Sequence, residues 1–308
     1  MMTISTQQRE MELWLSSFFP VSVIFFVLVG ISYTGIFDNA ELEIGLEHYA
    51  EEAWLPFTNV MPLNTLINFG YTGLGLYWCW FTKTATTQGM LKGNDSRLFY
   101  CLNIMASIYG VVQFLRITTQ TVIWAVLDQW CTLPFFALLL GWGLYLQRGW
   151  SSLRFFVILT ISILSYGLVL ISKIGFEIAL GFHILAAVTG GIIAYRKYPP
   201  YGSLRTFFLA LLSCSGFVIL KLLDHQLPFL FCGFKYVSGH FLSKICDIYQ
   251  IYFVNDFFLD ITLEKAASIS LEDKLNFEQC SGVYQHLKHK ATNDIRYENP
   301  FKSKQKYI

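Results

Sequence analysis

Long apolar runs recur along this chain, and they limit the folds that it can adopt. A transmembrane helix needs about 20 predominantly apolar residues, and the sequence offers eight candidate spans. They lie at 13–34, 57–81, 98–115, 121–146, 152–173, 175–195, 204–223 and 238–259. Charged residues make up only 14% of the chain, against about 25% in soluble domains. The sequence therefore predicts an all-α fold, a polytopic membrane helical bundle.

The predicted organisation has three parts. Residues 1–12 form a short N-terminus, 13–259 a transmembrane helical domain, and 260–308 a polar tail that is expected to be largely disordered. One N-terminal helix before a seven-helix core would give eight spans. The run at 98–115 is the weakest, so six or seven spans are the alternative counts.

Basic residues lie mainly on one side of the predicted membrane. The N-terminus, the tail and alternate loops hold 17 Lys and Arg residues, and the opposite side holds four. Because Lys and Arg are enriched on the cytosolic side, both termini are predicted to be cytosolic. The segment 35–56 has six acidic residues and no Lys or Arg, and it is predicted to be a solvated lumenal loop. No basic block suggests nucleic-acid binding.

The chain ends in KSKQKYI, which places Lys304 and Lys306 at the fifth and third positions from the C-terminus. This spacing is similar to the dilysine signal that the coat of retrograde vesicles reads, and chance in a Lys-rich tail is the alternative. The signal predicts vesicle-coat machinery as a partner. It also predicts a location in the secretory pathway, in the endoplasmic reticulum or Golgi.

Ten polar residues lie within or at the ends of predicted spans, where ionisable groups are costly and mark candidate sites. They are Asn64, Asn68, Gln113, Arg116, Asp128, His183, Asp224, His240, Lys244 and Asp247. At about 1.5 Å per residue, almost all of them fall in the lumenal half of the bilayer. This clustering predicts a polar cavity that is open to the lumen, with membrane lipids as the expected partners.

Three of these residues share one helical face. His240, Lys244 and Asp247 stand at i, i+4 and i+7. Lys244 and Asp247 are spaced to form an ion pair, which would largely offset the cost of burying them. The stripe is therefore either part of a site or a device that holds helices together.

Each of the other candidates also has a structural interpretation. Asn64 and Asn68 are of the type that forms hydrogen bonds between membrane helices. His183 lies among small residues, which favours a packing role. Arg116 at a helix end is expected to extend its charge toward water.

Six stretches resemble the transmembrane protein 187 family in the same order. They are TGIFD (34–38), EHYAE (47–51), NTLINFGYTGLGLYW (64–78), VLDQWCTLPFFA (126–137), GFEIALGFHILAAV (175–188) and KLLDHQL with GHFLSKICD (221–247). The resemblance runs from about residue 30 to 258 and leaves out the tail. It implies a multi-pass membrane protein of the secretory pathway and assigns it no biochemical activity.

A more distant resemblance is to the alkaline ceramidase and adiponectin-receptor superfamily of seven-helix zinc hydrolases. Asn64 and Asn68 resemble the Asn-rich pattern of the first core helix in that superfamily. Asp128 in LDQW resembles the Asp of its third core helix, and Gly239-His240 resembles the start of its last motif, Gly-His-x3-His. The resemblance implies a zinc-dependent lipid hydrolase.

The chain departs from this pattern at the ligands themselves. Lys244 stands where the second His of the last motif would be, and an ammonium group has no lone pair to give to a metal. Catalytic zinc needs three protein ligands and an open fourth position. Only His240 matches a ligand position, so His183 or His225 would have to be recruited. Zinc is therefore not expected, and no catalytic residue is assigned.

Three classes of function stay open. The favoured one is a non-catalytic protein, a pseudoenzyme on a hydrolase-like scaffold, which holds a lipid in the polar cavity. The alternatives are a metal-dependent intramembrane lipid hydrolase with rearranged ligands, and a transporter or channel. The transporter hypothesis would need a continuous polar path, and the sequence shows no second polar layer in the cytosolic half.

Overall fold

The computed structural model describes residues 2–42, 44–51 and 61–280, and within these ranges the chain forms helices and turns with no β-strand. Its α-helices are α1 (Met2–Ser32), α2 (Pro62–Leu66), α3 (Asn68–Thr87), α4 (Asn94–Thr119), α5 (Val122–Arg148), α6 (Ser152–Ser165), α7 (Gly175–Lys197), α8 (Ser203–Leu222), α9 (Leu227–Leu230) and α10 (Gly239–Cys280). Short 3₁₀ helices lie at Leu46–His48, Tyr166–Leu170 and Cys232–Lys235. The predicted all-helical fold is confirmed.

Six of the described helices are long and apolar enough to cross a membrane. They are α1, α4, α5, α6 with its 3₁₀ extension, α7 and α8. The long helices α3 and α10 coincide with two further predicted spans, but their sequences contain more polar residues. The multi-pass membrane character is thus confirmed. Within the described part of the chain, length and composition give six candidate spans, the lower of the predicted counts.

Helix α4, which covers the weakest predicted span, lies at the centre of the bundle. More than half of its apolar window is buried inside the protein, whereas most of the windows of α1, α6 and α8 are not. Its polar residues Asn103, Gln113 and Arg116 are buried. The low hydropathy of this run therefore reflects a helix that faces other helices, because polar groups in a membrane find their partners there.

Glycines allow α3 and α4 to approach closely. A Cβ on Gly75 would lie 2.5 Å from the carbonyl oxygen of Asn103, and one on Gly110 would lie 2.7 Å from that of Asn68. Small residues of this kind let membrane helices pack backbone against backbone. The contact fixes the polar residues of α3 beside those of α4.

An aromatic core attaches α10 to α4 and α5. Trp142 of α5 stacks on Phe258 of α10, with ring centroids 4.4 Å apart, and meets Phe99 of α4 edge to face at 4.6 Å. Phe99 and Trp142 are fully buried. This packing sets the position of α10, whose first turns carry His240 and Lys244.

Helix α10 continues to Cys280, beyond the predicted end of the last span at 259. Residues up to Leu263 belong to one compact unit, and those from Glu264 belong to a second. The first part of the predicted tail is therefore helical. Lys304 and Lys306 lie outside the described residues, so the retrieval signal stays a prediction.

Candidate functional site

The first polar cluster joins α2 and α3 to α10, and we call it the Lys244 cluster. It consists of Glu51, Asn64, Asn68, Ser238 and Lys244, all of them buried. Lys244 Nζ donates to Asn68 Oδ1 at 2.9 Å and to the Asn64 carbonyl oxygen at 3.4 Å. Asn64 Nδ2 donates to Glu51 Oε2 at 2.7 Å and to Ser238 Oγ at 3.2 Å. The cluster therefore holds a buried ammonium with neutral amide oxygens.

The predicted ion pair between Lys244 and Asp247 is wrong. Asp247 Oδ2 accepts a hydrogen bond from Tyr71 OH at 2.8 Å, and Lys244 turns toward the asparagines. Helical side chains point back toward the N-terminus of their helix, which directs Lys244 to the start of α3. Asp247 lies almost one turn further along α10 and meets Tyr71 instead.

Glu51 is a site residue that the sequence analysis missed. Its carboxylate accepts hydrogen bonds from the backbone N–H groups of Leu63 at 2.9 Å and Asn64 at 3.0 Å. This caps the start of α2, where a negative charge is favourable. Burial raises the pKa of Glu51, and the N–H donors and the Lys244 charge oppose that effect. Glu51 is only 4% exposed, so the prediction of a solvated loop is wrong for this residue.

Asp224 fastens the start of α10 to the loop before α2. Its Oδ1 accepts from the His240 backbone N–H at 2.8 Å, and its Oδ2 accepts from the Ala50 N–H at 2.9 Å. The His240 ring meets the Tyr49 ring edge to face, with centroids 4.6 Å apart. Within the described ranges, no group of three or more His, Cys, Asp or Glu side chains is arranged to hold a metal ion.

The second polar cluster joins α4 to α5, and we call it the Asp128 cluster. Arg116 forms an ion pair with Asp128, and Gln113 Nε2 donates to the other carboxylate oxygen. Gln113 Nε2 also donates to Tyr109 OH at 2.6 Å. The expectation that Arg116 extends toward water is wrong, because Asp128 provides a buried counter-charge. Removing one partner of such a pair leaves an uncompensated charge.

His183 takes part in neither cluster. Its Nδ1 lies 2.7 Å from the Ala179 carbonyl oxygen, and its Nε2 lies 3.0 Å from Ser162 Oγ. Both ring nitrogens thus have a partner in α6 or α7. The structure gathers six of the ten predicted residues into the two clusters and places Asp224 and His240 beside the first. Asp247 bonds to Tyr71 outside both clusters, and His183 lies apart.

One small cavity lies among the described residues near the polar clusters. A cavity of about 30 Å³ lies next to Tyr109 and Asp247, which is room for about one water molecule. Most polar side-chain atoms of the two clusters are bonded to one another or to the backbone, although Asn64 Oδ1 has no hydrogen-bond partner among the described residues. These contacts hold helices together.

A much larger cavity, of about 370 Å³, lies between α1, α4, α5 and α6. We call it the α1–α6 groove. Its lining is almost entirely apolar and includes Ile24, Leu28, Met105, Ile108 and Leu159. No sequence pattern indicated this groove, because side chains that line an apolar groove have the same composition as those that face lipid.

Comparison with known proteins identifies relatives over most of the chain. The model of the TMEM187 protein family matches residues 17–259. Transmembrane protein 187 of Homo sapiens is 43% identical over 243 residues, which cover 78% of this chain and 90% of that protein. Transmembrane protein 187 of Bos taurus is 40% identical over 243 residues, with 76% and 92% covered. No solved structure matches the chain. These matches give no support for the resemblance to alkaline ceramidases.

Proposed function

The chain belongs to the TMEM187 protein family, and we propose that it is a non-catalytic membrane protein that binds a lipid in the α1–α6 groove. The groove is the observation that carries this proposal. Its volume of about 370 Å³ falls within the range of roughly 300–1,000 Å³ that is usual for small-molecule sites. An acyl chain is the occupant that a bilayer supplies to such an apolar lining.

The contacts of the polar clusters support the non-catalytic part of the proposal. Lys244 is engaged by Asn68, and Asp128 by Arg116 and Gln113. A general acid or base must come within hydrogen-bond reach of its substrate, whereas these side chains are directed at one another. The apolar groove also offers a lipid more space than the cavity of about 30 Å³ beside Tyr109 and Asp247.

Lipid retention by the purified protein tests the proposal. Native mass spectrometry of the full chain in mild detergent should show a bound lipid. Val21 of α1 lines the groove, so Val21→Trp should fill the space and remove the lipid. Val23 lies two positions away on the same helix and is 43% exposed, which makes Val23→Trp the matched control. Equal lipid retention by the two variants, or none by the wild type, would refute lipid binding in the groove.

A metal analysis tests the alternative hydrolase. Stoichiometric zinc in the purified chain, lost in His240→Ala, would replace the non-catalytic proposal with a rearranged zinc site. Zinc that stays in His240→Ala would instead indicate adventitious binding, and the proposal would stand.

For location, we propose retrieval to the early secretory pathway through Lys304 and Lys306. The support is the spacing of the two residues from the C-terminus. Replacing both with Ala should move the protein from the endoplasmic reticulum toward later compartments, as seen by fluorescence microscopy. An unchanged distribution would contradict the signal.

A further inference from the structure

One cation lies at an end of the α1–α6 groove. Arg97 stands in the first turn of α4 and lines the groove. Its Nη1 donates to Asn94 Oδ1 at 3.2 Å. Its Nε is buried and has no hydrogen-bond partner among the described residues. A buried donor without a partner is costly, so this atom is suited to an acceptor that a ligand provides.

The charge of Arg97 is likewise not neutralised within the described part of the chain. The ion pairs found there join other residues, such as Lys83 with Glu10 and Arg116 with Asp128. Among the described residues, the one side-chain hydrogen bond of Arg97 is to the neutral amide of Asn94. An anionic group would therefore complement this end of the groove.

The groove has the length of one leaflet. Along α4 its lining runs from Arg97 to Ile108, a distance of about 16 Å at about 1.5 Å per residue. That is about half of the roughly 30 Å hydrocarbon core of a bilayer. The α4 residues between these ends include Cys101 and Met105. The groove thus combines a cation at one end with an apolar floor that reaches the depth of an acyl chain.

We propose that the groove binds a glycerophospholipid with an anionic headgroup, and that Arg97 contacts its phosphate. This inference rests on the proposed lipid binding and names the lipid class. A guanidinium donates charge-assisted hydrogen bonds to phosphate oxygens in a fork geometry. The predicted orientation places Arg97 on the cytosolic side, where membranes carry anionic lipids. Among the described residues, no acidic side chain forms an ion pair with Arg97. A headgroup with a net negative charge therefore complements Arg97 better than phosphatidylcholine, whose choline ammonium balances its phosphate.

Competition between two phospholipids tests the proposal. The full chain is placed in nanodiscs with equal amounts of phosphatidylserine and phosphatidylcholine, and the lipid that stays bound after extraction is measured by native mass spectrometry. The wild type should retain phosphatidylserine in preference. Arg97→Gln should lower the ratio of serine to choline lipid roughly tenfold, and Arg97→Lys should lower it less. Arg205 is exposed on α8 and outside the groove, so Arg205→Gln should keep the wild-type ratio.

The outcomes separate this inference from the proposed function. Suppose that the wild type binds lipid with no headgroup preference and that Val21→Trp loses this lipid. That result would refute an anionic ligand and leave the proposed lipid binding intact. The same conclusion would follow from a preference unchanged in Arg97→Gln, or from a bound free fatty acid. Retention of lipid in Val21→Trp would overturn both. The wild-type ratio needs no variant, so a failure of Arg97→Gln to fold would not remove the test.

Discussion

The paired amides of Asn103 and Asn255 join α4 to α10, and we expect a substitution at either position to destabilise the bundle. Asn103 Nδ2 donates to Asn255 Oδ1 at 2.7 Å, and Asn255 Nδ2 donates to Asn103 Oδ1 at 3.1 Å. Each Nδ2 also donates to the carbonyl four residues earlier, on Phe99 at 2.8 Å and Ile251 at 2.9 Å. Both asparagines are fully buried, so every amide hydrogen and both oxygens have a partner.

Replacing Asn255 with Leu removes both hydrogen bonds between the helices. It leaves one N–H and the oxygen of Asn103 buried without partners, and each such group costs about 1–3 kcal/mol. Bonds between membrane helices contribute less on average, about 0.6 kcal/mol each. Between these limits, we expect Asn255→Leu to lower the free energy of unfolding by about 2 kcal/mol. Leu branches at Cγ as Asn does and is somewhat larger, so no cavity adds to this loss.

A double-mutant cycle isolates the contribution of the pair. The variant with Leu at both Asn103 and Asn255 has no unmatched polar group, so its loss should be smaller than the sum of the single losses by about 1 kcal/mol. Unfolding in detergent micelles, followed by tryptophan fluorescence, measures these free energies. Asn39→Leu is the control, because Asn39 is exposed. Additive losses, or a single-variant loss below about 0.5 kcal/mol, would refute the energetic pairing.

Three further predictions follow from the buried Glu51, the α3–α4 contact and the predicted orientation. Burial raises the pKa of Glu51 from its ordinary value of 4.5, so its contribution to stability is greatest at low pH and declines as pH rises above about 4.5. The free energy of unfolding, measured across a pH series, should show this decline in the wild type and not in Glu51→Gln. Parallel curves for the two proteins would contradict the prediction. Gly110→Ala should cost about 1–3 kcal/mol by the same unfolding assay, since its Cβ meets a backbone oxygen. Gly73→Ala, where the space is open, should cost nothing. Asn94 begins the only Asn-x-Ser/Thr sequon, and the predicted orientation places it on the cytosolic side. Glycosidase treatment should therefore leave the electrophoretic mobility of the protein unchanged. A mobility shift on glycosidase treatment that disappears in Asn94→Gln would contradict the predicted orientation.

Much of the fold could be predicted because a membrane helix satisfies its backbone within its own segment. The runs that became α5, α7 and α8 needed no information from elsewhere in the chain. The α4 span was harder to predict, because its polar residues are stabilised by partners on other helices, which a sequence window does not contain. Helix α10 extended past its predicted end for a related reason. Beyond the apolar run, helical continuation depends on local propensity and contacts and not on span length.

The candidate site was predicted only as a set of residue types. The sequence placed Lys244, Asn64 and Asn68 at similar depths, and the structure brings them together. It did not show that Glu51, from a loop that appeared solvated, closes the cluster. Burial of a carboxylate beside α2 depends on how the loop folds back, and no periodic pattern encodes that contact.

The sequence by itself determined that this chain is a helical, multi-pass membrane protein, because run length and composition decide which segments a bilayer accepts. Spacing along one helix also determined which side chains share a face. Only the tertiary structure decided which partner each side chain takes. Lys244 bonds to Asn68 instead of Asp247, and Arg116 pairs with Asp128 instead of reaching water. The groove that ends at Arg97 arises from the distance between helices, which depends on packing that no single segment specifies.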